Sequence, residues 1–208
     1  MDDMASAAPT VPPPTEAPAY GKLGESEAVD DSFFDDAAFL GNSLVDGFRL
    51  YSGLTGCTVY ASTSMTVVGA GDLVNQMSQG TYGKVYILLG INEIGYDSYY
   101  FKELYSQLLD QIVQSQPDAD IYIMGLSPVS ANKSASSSTF NMDKVNEYND
   151  RLLELAEEKR FYYIDLCEAL AGEDGFLPAE CTTDGVHFTP DKYTQWLDYL
   201  KTHHGEDR

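Results

Sequence analysis

The chain has 208 residues, 43% apolar and 22% charged, a balance that suits one globular domain with a sizeable core. Only 12 Lys and Arg stand against 33 Asp and Glu, a net charge of −21. With no basic cluster to meet phosphates, that charge argues against nucleic-acid binding and against docking on an anionic membrane. Acidic surfaces mostly serve solubility, so the charge says little about the substrate.

In chain order, residues 1–31 read as a disordered linker. The run TVPPPTEAPAYGKLGESEAVDD is rich in Pro, Ala, Glu and Gly and poor in core formers. Pro-rich leaders of this kind follow export signals or lipid anchors, and the expectation is an extracytoplasmic, secreted or surface-anchored protein with its signal trimmed. The start itself, MDDMASAAP, is acidic and has no apolar run, so no signal peptide is visible. No apolar stretch approaches the ~18 residues that span a bilayer.

The folded domain is expected over 32–208. AAFLG (37–41) is an apolar run ending in glycine, and SLVDGFRLYSG after it reads as helix. CTVYAS (57–62), KVYILLG (84–90), DIYIMG (120–125) and FYYIDL (161–166) are further strands. Helices are expected at 72–79, 98–116, 142–159 and 189–203. In the second of these, Phe101, Leu104, Leu108 and Ile112 recur at helical spacing. SANKSASSST (130–139) reads as a Ser-rich loop. Apolar strands alternating with helices predict an α/β fold, a five-stranded parallel sheet between two helical layers. Sites in such sheets form beyond the carboxyl ends of the strands.

Three cysteines, Cys57, Cys167 and Cys181, show no CxxC spacing, so no zinc site or redox pair is expected, nor a Cys167–Cys181 bridge. No metal-ligand cluster and no cofactor motif is visible.

Histidine narrows the chemistry. His203 and His204 lie in the last six residues, where chains fray, which leaves His187. Asp184, three residues upstream, can accept from Nδ1–H and leave Nε2 as a base. At the end of the first strand, Gly41-Asn42-Ser43 turns into a helix, with the serine near a positive helix end. Taken alone, Ser43 is as well explained as a helix cap, and the Asp184–His187 pair as surface residues. Asn92, in Gly90-Ile91-Asn92-Glu93, brings two amide donors to the end of the third strand, and Ser62-Thr63-Ser64-Met65 brings backbone N–H groups to the end of the second. Gathered on one rim, these groups supply a nucleophile, a base, an orienting acid and oxyanion donors, the set acyl transfer requires.

The ordered segments GNSL (41–44), LLGINEIGY (88–96) and DGVHFTPDKYTQWLDYL (184–200) resemble the SGNH hydrolases, or GDSL esterases/lipases. The resemblance covers residues 33–203. It implies a flavodoxin-like three-layer α/β/α domain and a Ser43–His187–Asp184 triad. It also implies an oxyanion hole from the N–H of Ser43, the N–H of Ser64 and the amide of Asn92. Asn42 replaces the family's usual Asp, Ser64 its glycine, and Glu93 its more common Asp. Asn42 and Tyr96 are expected to contact substrate, Tyr96 by stacking on a sugar alongside Tyr99 and Tyr100. The expected activity is hydrolysis of short-chain acyl or acetyl esters, of carbohydrates in particular, on a small-molecule or glycan substrate. Two other readings stay open: an acetyltransferase using the same residues, and a carbohydrate-binding module that has lost catalysis.

Overall fold

The computed structural model describes residues 20–206. Its centre is a six-stranded, all-parallel sheet in the order β1-β6-β5-β4-β2-β3. The strands are β1 (Gly21–Lys22), β2 (Ala37–Gly41), β3 (Thr58–Ala61), β4 (Lys84–Leu88), β5 (Asp120–Met124) and β6 (Tyr162–Ile164). Every residue of β2, β4 and β6 is buried, as strands covered on both faces must be.

One row of side chains shows how register builds the core. Phe39, Tyr86, Tyr122 and Tyr162 are direct register partners on β2, β4, β5 and β6. Their rings stack in succession at centroid distances of 4.7, 4.4 and 4.8 Å. Such offset aromatic pairs add about 0.5–1.5 kcal/mol each beyond the area they bury. Phe48 continues the row toward Trp196, which is fully buried.

The helices α1 (Ser43–Tyr51), α6 (Leu166–Leu170) and α7 (Pro190–Thr202) pack with one another, and α2 (Gly71–Met77), α3 (Ser98–Ser115) and α5 (Met142–Lys159) form a second group. The long helices begin where side chains satisfy their free N–H groups. Asp97 accepts from the N–H groups of Tyr99 and Tyr100, and Asn141 accepts from that of Lys144. Arg160, in the left-handed conformation (φ 60°), ends α5.

Three sequence expectations change. The predicted sheet gains a sixth strand, because Gly21 and Lys22 pair with Tyr162 and Tyr163 on its edge. The segment 20–31, read as linker, is therefore tied to the domain. Ser26 N–H donates to the carbonyl of Thr202 and Val29 N–H to that of Lys201. The rest of that linker, 1–19, lies outside the described residues. Second, the Ser-rich loop contains a short helix, α4 (Ala131–Ser136), because the Ser130 hydroxyl caps it by accepting from Lys133 N–H. Third, the C-terminal histidines are packed. His203 is buried with its ring 3.7 Å from that of Tyr199, and His204 meets the Glu27 carbonyl at 2.9 Å.

Candidate active site

The sheet order fixes where a site can form. From β2 the chain moves outward to β3, then returns across β2 to β4. Loops leaving β2 and β4 therefore part in opposite directions, and a crevice opens at their carboxyl ends. Ser43 follows β2, and Asn92 follows β4 in a short 3-10 helix (Ile91–Glu93). His187 and Asp184 come from the loop before α7. All four line one cleft of about 200 Å³, together with Ser64, Lys133 and the apolar Leu44, Ile91, Phe140 and Val186.

The hydrogen bonds run in one line. Ser43 Oγ lies 2.9 Å from His187 Nε2, and His187 Nδ1 lies 2.7 Å from Asp184 Oδ2. The other carboxylate oxygen accepts the backbone N–H groups of Val186, at 2.9 Å, and His187, at 2.8 Å. An ionised carboxylate facing Nδ1 requires the proton on Nδ1, so Nε2 presents its lone pair to the serine hydroxyl. Burial opposes ionisation of Asp184, but the bonds from the His187 ring and the two backbone N–H groups outweigh it and bring its pKa down to about 2.

Ser43 is the first residue of α1, not its cap. The cap is Asn42, whose Oδ1 accepts Leu44 N–H at 3.0 Å. This leaves Ser43 on the helix end with its hydroxyl free for His187. It also corrects the expected role of Asn42. Its side chain is fully buried, so it serves the turn and does not meet substrate. The Asn42 Nδ2 has no hydrogen-bond partner among the described residues.

Asn92 Nδ2 donates to the Met65 carbonyl at 2.8 Å, which orients the amide and spends one of its two hydrogens. Glu93 beside it is buried, and its Oε1 accepts Val67 N–H. Together the two side chains bind the 65–67 segment to the end of β4. Burial raises the Glu93 pKa, against the opposing effect of the Val67 bond, and Oε2 has no hydrogen-bond partner among the described residues. Gly90 starts this turn with φ 123°, and a Cβ there would sit 2.8 Å from the Phe101 ring, so only glycine fits. Ser64 holds φ 58°, the left-handed region that glycine enters freely. The glycine that the resemblance implies here would hold this conformation without strain.

Tyr96 is not among the residues that line the cleft. It is half exposed, with its ring 6.3 Å from that of Tyr100, and its carbonyl accepts the Tyr148 hydroxyl at 3.0 Å. Tyr99 lies under the Arg151 guanidinium. The residues the sequence reading missed are Lys133 and Phe140. Lys133 comes from the Ser-rich segment and Phe140 follows it directly.

Among the described residues no group of three or more His, Cys, Asp or Glu is placed to hold a metal. No helix among them is long and apolar enough to cross a membrane. All three cysteines are free, and burial pushes the Cys167 thiol up to about 12.

A parallel sheet between helices, with these groups at its switch point, is the SGNH hydrolase fold. The chain belongs to the GDSL-like Lipase/Acylhydrolase family, whose model matches residues 37–194, and it is an ester hydrolase. No curated protein matches it. Solved structures share the fold at low identity. One described as a platelet activating factor, from Streptococcus pneumonia, is 20% identical with a TM-score of 0.67, covering 82% of this chain and 89% of that one. The acetyl xylan esterase AlAXEase is 15% identical with a TM-score of 0.62, covering 78% and 96%. A peptidoglycan O-acetylesterase is 19% identical with a TM-score of 0.54, covering 68% and 44%.

Proposed function

We propose that this hydrolase is a serine esterase for short-chain acyl esters, acetyl esters of carbohydrates foremost. Ser43 is its nucleophile, His187 its base and Asp184 the orienting acid. The observation that carries this reading is the unbroken line from Ser43 Oγ through the His187 ring to Asp184, at 2.9 and 2.7 Å. Ser43 Oγ attacks the acyl carbon as its proton passes to His187 Nε2. The oxyanion is held by the N–H groups of Ser43 and Ser64 and by the Asn92 amide hydrogen that Met65 does not use. The imidazolium returns its proton to the departing alcohol oxygen as the C–O bond breaks. Water then attacks the acyl-serine, again losing its proton to His187. The carboxylic acid leaves and Ser43 regains its hydrogen.

The size of the cleft supports a short acyl group. At about 200 Å³ it lies below the roughly 300–1,000 Å³ usual for small-molecule sites. Two of the structures sharing the fold are named for acetyl esters of xylan and peptidoglycan, which supports the carbohydrate class.

The test is Ser43→Ala assayed on p-nitrophenyl acetate, with fluorophosphonate labelling of the native enzyme. We expect labelling at Ser43 and a loss of kcat of up to ~10⁶. A variant that keeps most of its activity, or a native enzyme that does not label there, overturns the reading.

A further inference from the structure

Lys133 has no place in the chemistry above, yet it lines the reacting cleft. It also lines an adjoining polar groove of about 330 Å³, whose other lining includes Asn132, Ser136, Thr182 and Thr183. Asp184 and Lys133 border both spaces. An ester held at Ser43 with a short acyl group in the cleft therefore has this groove beside it for its alcohol portion. The groove's hydroxyl and amide groups suit a polyhydroxylated unit.

The position of Lys133 is built. The Ser130 hydroxyl caps its N–H, and Ser130 N–H donates to the Gly185 carbonyl at 2.9 Å, which fastens α4 to the loop carrying the base. Gly185, at φ 86°, lets that loop approach: a Cβ there would lie 2.5 Å from Lys133 Cβ. At its far end the ammonium sits 5.2 Å from the centre of the Phe140 ring, another cleft residue.

The charge of Lys133 is uncompensated. Most Lys and Arg side chains among the described residues are paired with carboxylates, as Lys22, Lys102 and Lys201 are. Among the described residues Lys133 has no carboxylate partner. Asp184, its acidic neighbour across the loop, is spent on the His187 ring and two backbone N–H groups. In a chain of net charge −21, a half-buried lysine left without an acid beside the reacting centre is an exception. The aromatic face shields one side of it from water, so an incoming anion meets a partly desolvated cation, where a charged hydrogen bond is strongest.

We propose that Lys133 forms an anion subsite that selects esters whose alcohol portion carries a carboxylate, such as an O-acetylated sugar acid. The proposal rests on Ser43 being the nucleophile. Lys133 pairs with the carboxylate in the groove and orients the acylated oxygen toward Ser43, while the bulk negative charge of the protein turns away anions that do not reach it.

The test uses two probes that differ by one charge: an O-acetylated methyl glycoside of galacturonic acid, and its C6 methyl ester, with acetate release as the readout. We expect the native enzyme to prefer the free acid in kcat/KM. The acid-to-ester ratio should fall about tenfold in Lys133→Met and in Lys133→Gln, and persist in Lys133→Arg. The double ratio cancels any general loss of activity and any difference between leaving groups. A native ratio at or below one overturns the proposal, as does a ratio that neither Lys133→Met nor Lys133→Gln moves. If native enzyme fails to cleave p-nitrophenyl acetate as well, the esterase reading itself fails, and the two failures are thereby told apart.

Discussion

The wall of the cleft that carries Ser43 and Asn92 and the wall that carries His187 and Lys133 are held by different forces. The first is an extension of the sheet. Its turns leave fully buried strands, and its anchors, Asn42 and Glu93, are buried polar side chains that bond backbone N–H groups. The second is a surface loop with a short helix leaning on it, and its Asp184 and His187 side chains are each 49% exposed. On the first wall geometry is set by packing, and an error there costs folding energy as well as activity. On the second it is set by hydrogen bonds in partial contact with water, and an error there costs activity with little stability. The proposed roles divide the same way: attack and oxyanion stabilisation fall on the rigid wall, proton handling and anion selection on the adaptable one.

Asp184→Asn breaks the exposed wall most sharply. The carboxamide keeps an oxygen for the N–H groups of Val186 and His187, but can turn an NH₂ toward Nδ1, where an acceptor is needed. The ring then favours the wrong tautomer, and kcat should fall by about 10⁴, with only a modest loss of melting temperature at pH 7 as the charged hydrogen bonds weaken. The pH behaviour of the native enzyme sharpens the point. With its folded pKa lowered to about 2, Asp184 stays ionised over the whole working range. Its stabilising hydrogen bonds are fully present above the unfolded carboxylate value of about 3.9, and are lost as pH falls from there toward 2. Loss of kcat/KM above pH 5 therefore does not come from protonation of this carboxylate. A kcat in Asp184→Asn within tenfold of native would contradict the orienting role.

On the rigid wall, Asn92→Ala should lower kcat by about 10²–10³ with KM little changed, because the lost donor acts on charge that develops only in the transition state. The same variant frees the Met65 carbonyl, so an equal loss in KM would show that Asn92 mainly shapes the 65–67 segment.

The sequence made these two walls legible to different degrees. Ser43, Asn92 and His187 could be placed because strand ends and a single usable histidine restrict where chemistry can gather. The structure brings all three to one cleft with Asp184. The Ser43 turn left a cap as the alternative, since Asn and Ser are both good capping residues and only the backbone shows that Asn42 takes the cap. Strand β1 was hidden because two residues carry no periodicity, and its pairing with β6 is long-range. Lys133 was hidden for a similar reason. A lysine in a Ser-rich stretch looks solvated until α4 is seen docked on Gly185.

Glu93 tests whether the rigid wall is held by hydrogen bonding or by charge. Glu93→Ala leaves Val67 N–H buried without an acceptor and should cost about 1–3 kcal/mol of stability, with a further loss of kcat as Asn92 and the 65–67 segment loosen. Glu93→Gln keeps an acceptor oxygen and removes the carboxyl's ability to ionise. Because burial raises the folded pKa of Glu93, its contribution is most favourable below the unfolded value of about 4.3 and is lost as pH rises through the folded value. Above that value the native chain carries a buried charge that the Gln variant lacks. Glu93→Gln should therefore match or exceed the native melting temperature at pH 8 and lose that advantage at pH 4. A Gln variant as unstable as the Ala variant at pH 8 would mean that the wall needs the carboxylate itself.

The smallest expected effect is at Ser64. Its φ of 58° costs a non-glycine residue about 1–2 kcal/mol, while glycine would add about 0.5–1 kcal/mol of unfolded-state entropy to be lost on folding. The two nearly cancel, so Ser64→Gly should leave stability unchanged or raise it by no more than about 1 kcal/mol. The proposed oxyanion donor is the backbone N–H, which the substitution keeps, so kcat on p-nitrophenyl acetate should stay within a few-fold of native. Ser64→Ala gives the control: it keeps the same φ penalty and the same N–H but removes the hydroxyl. If both variants lose activity equally, the Ser64 hydroxyl takes part in the reaction. If only the Gly variant changes, the left-handed backbone held by a side chain is what sets the donor in place.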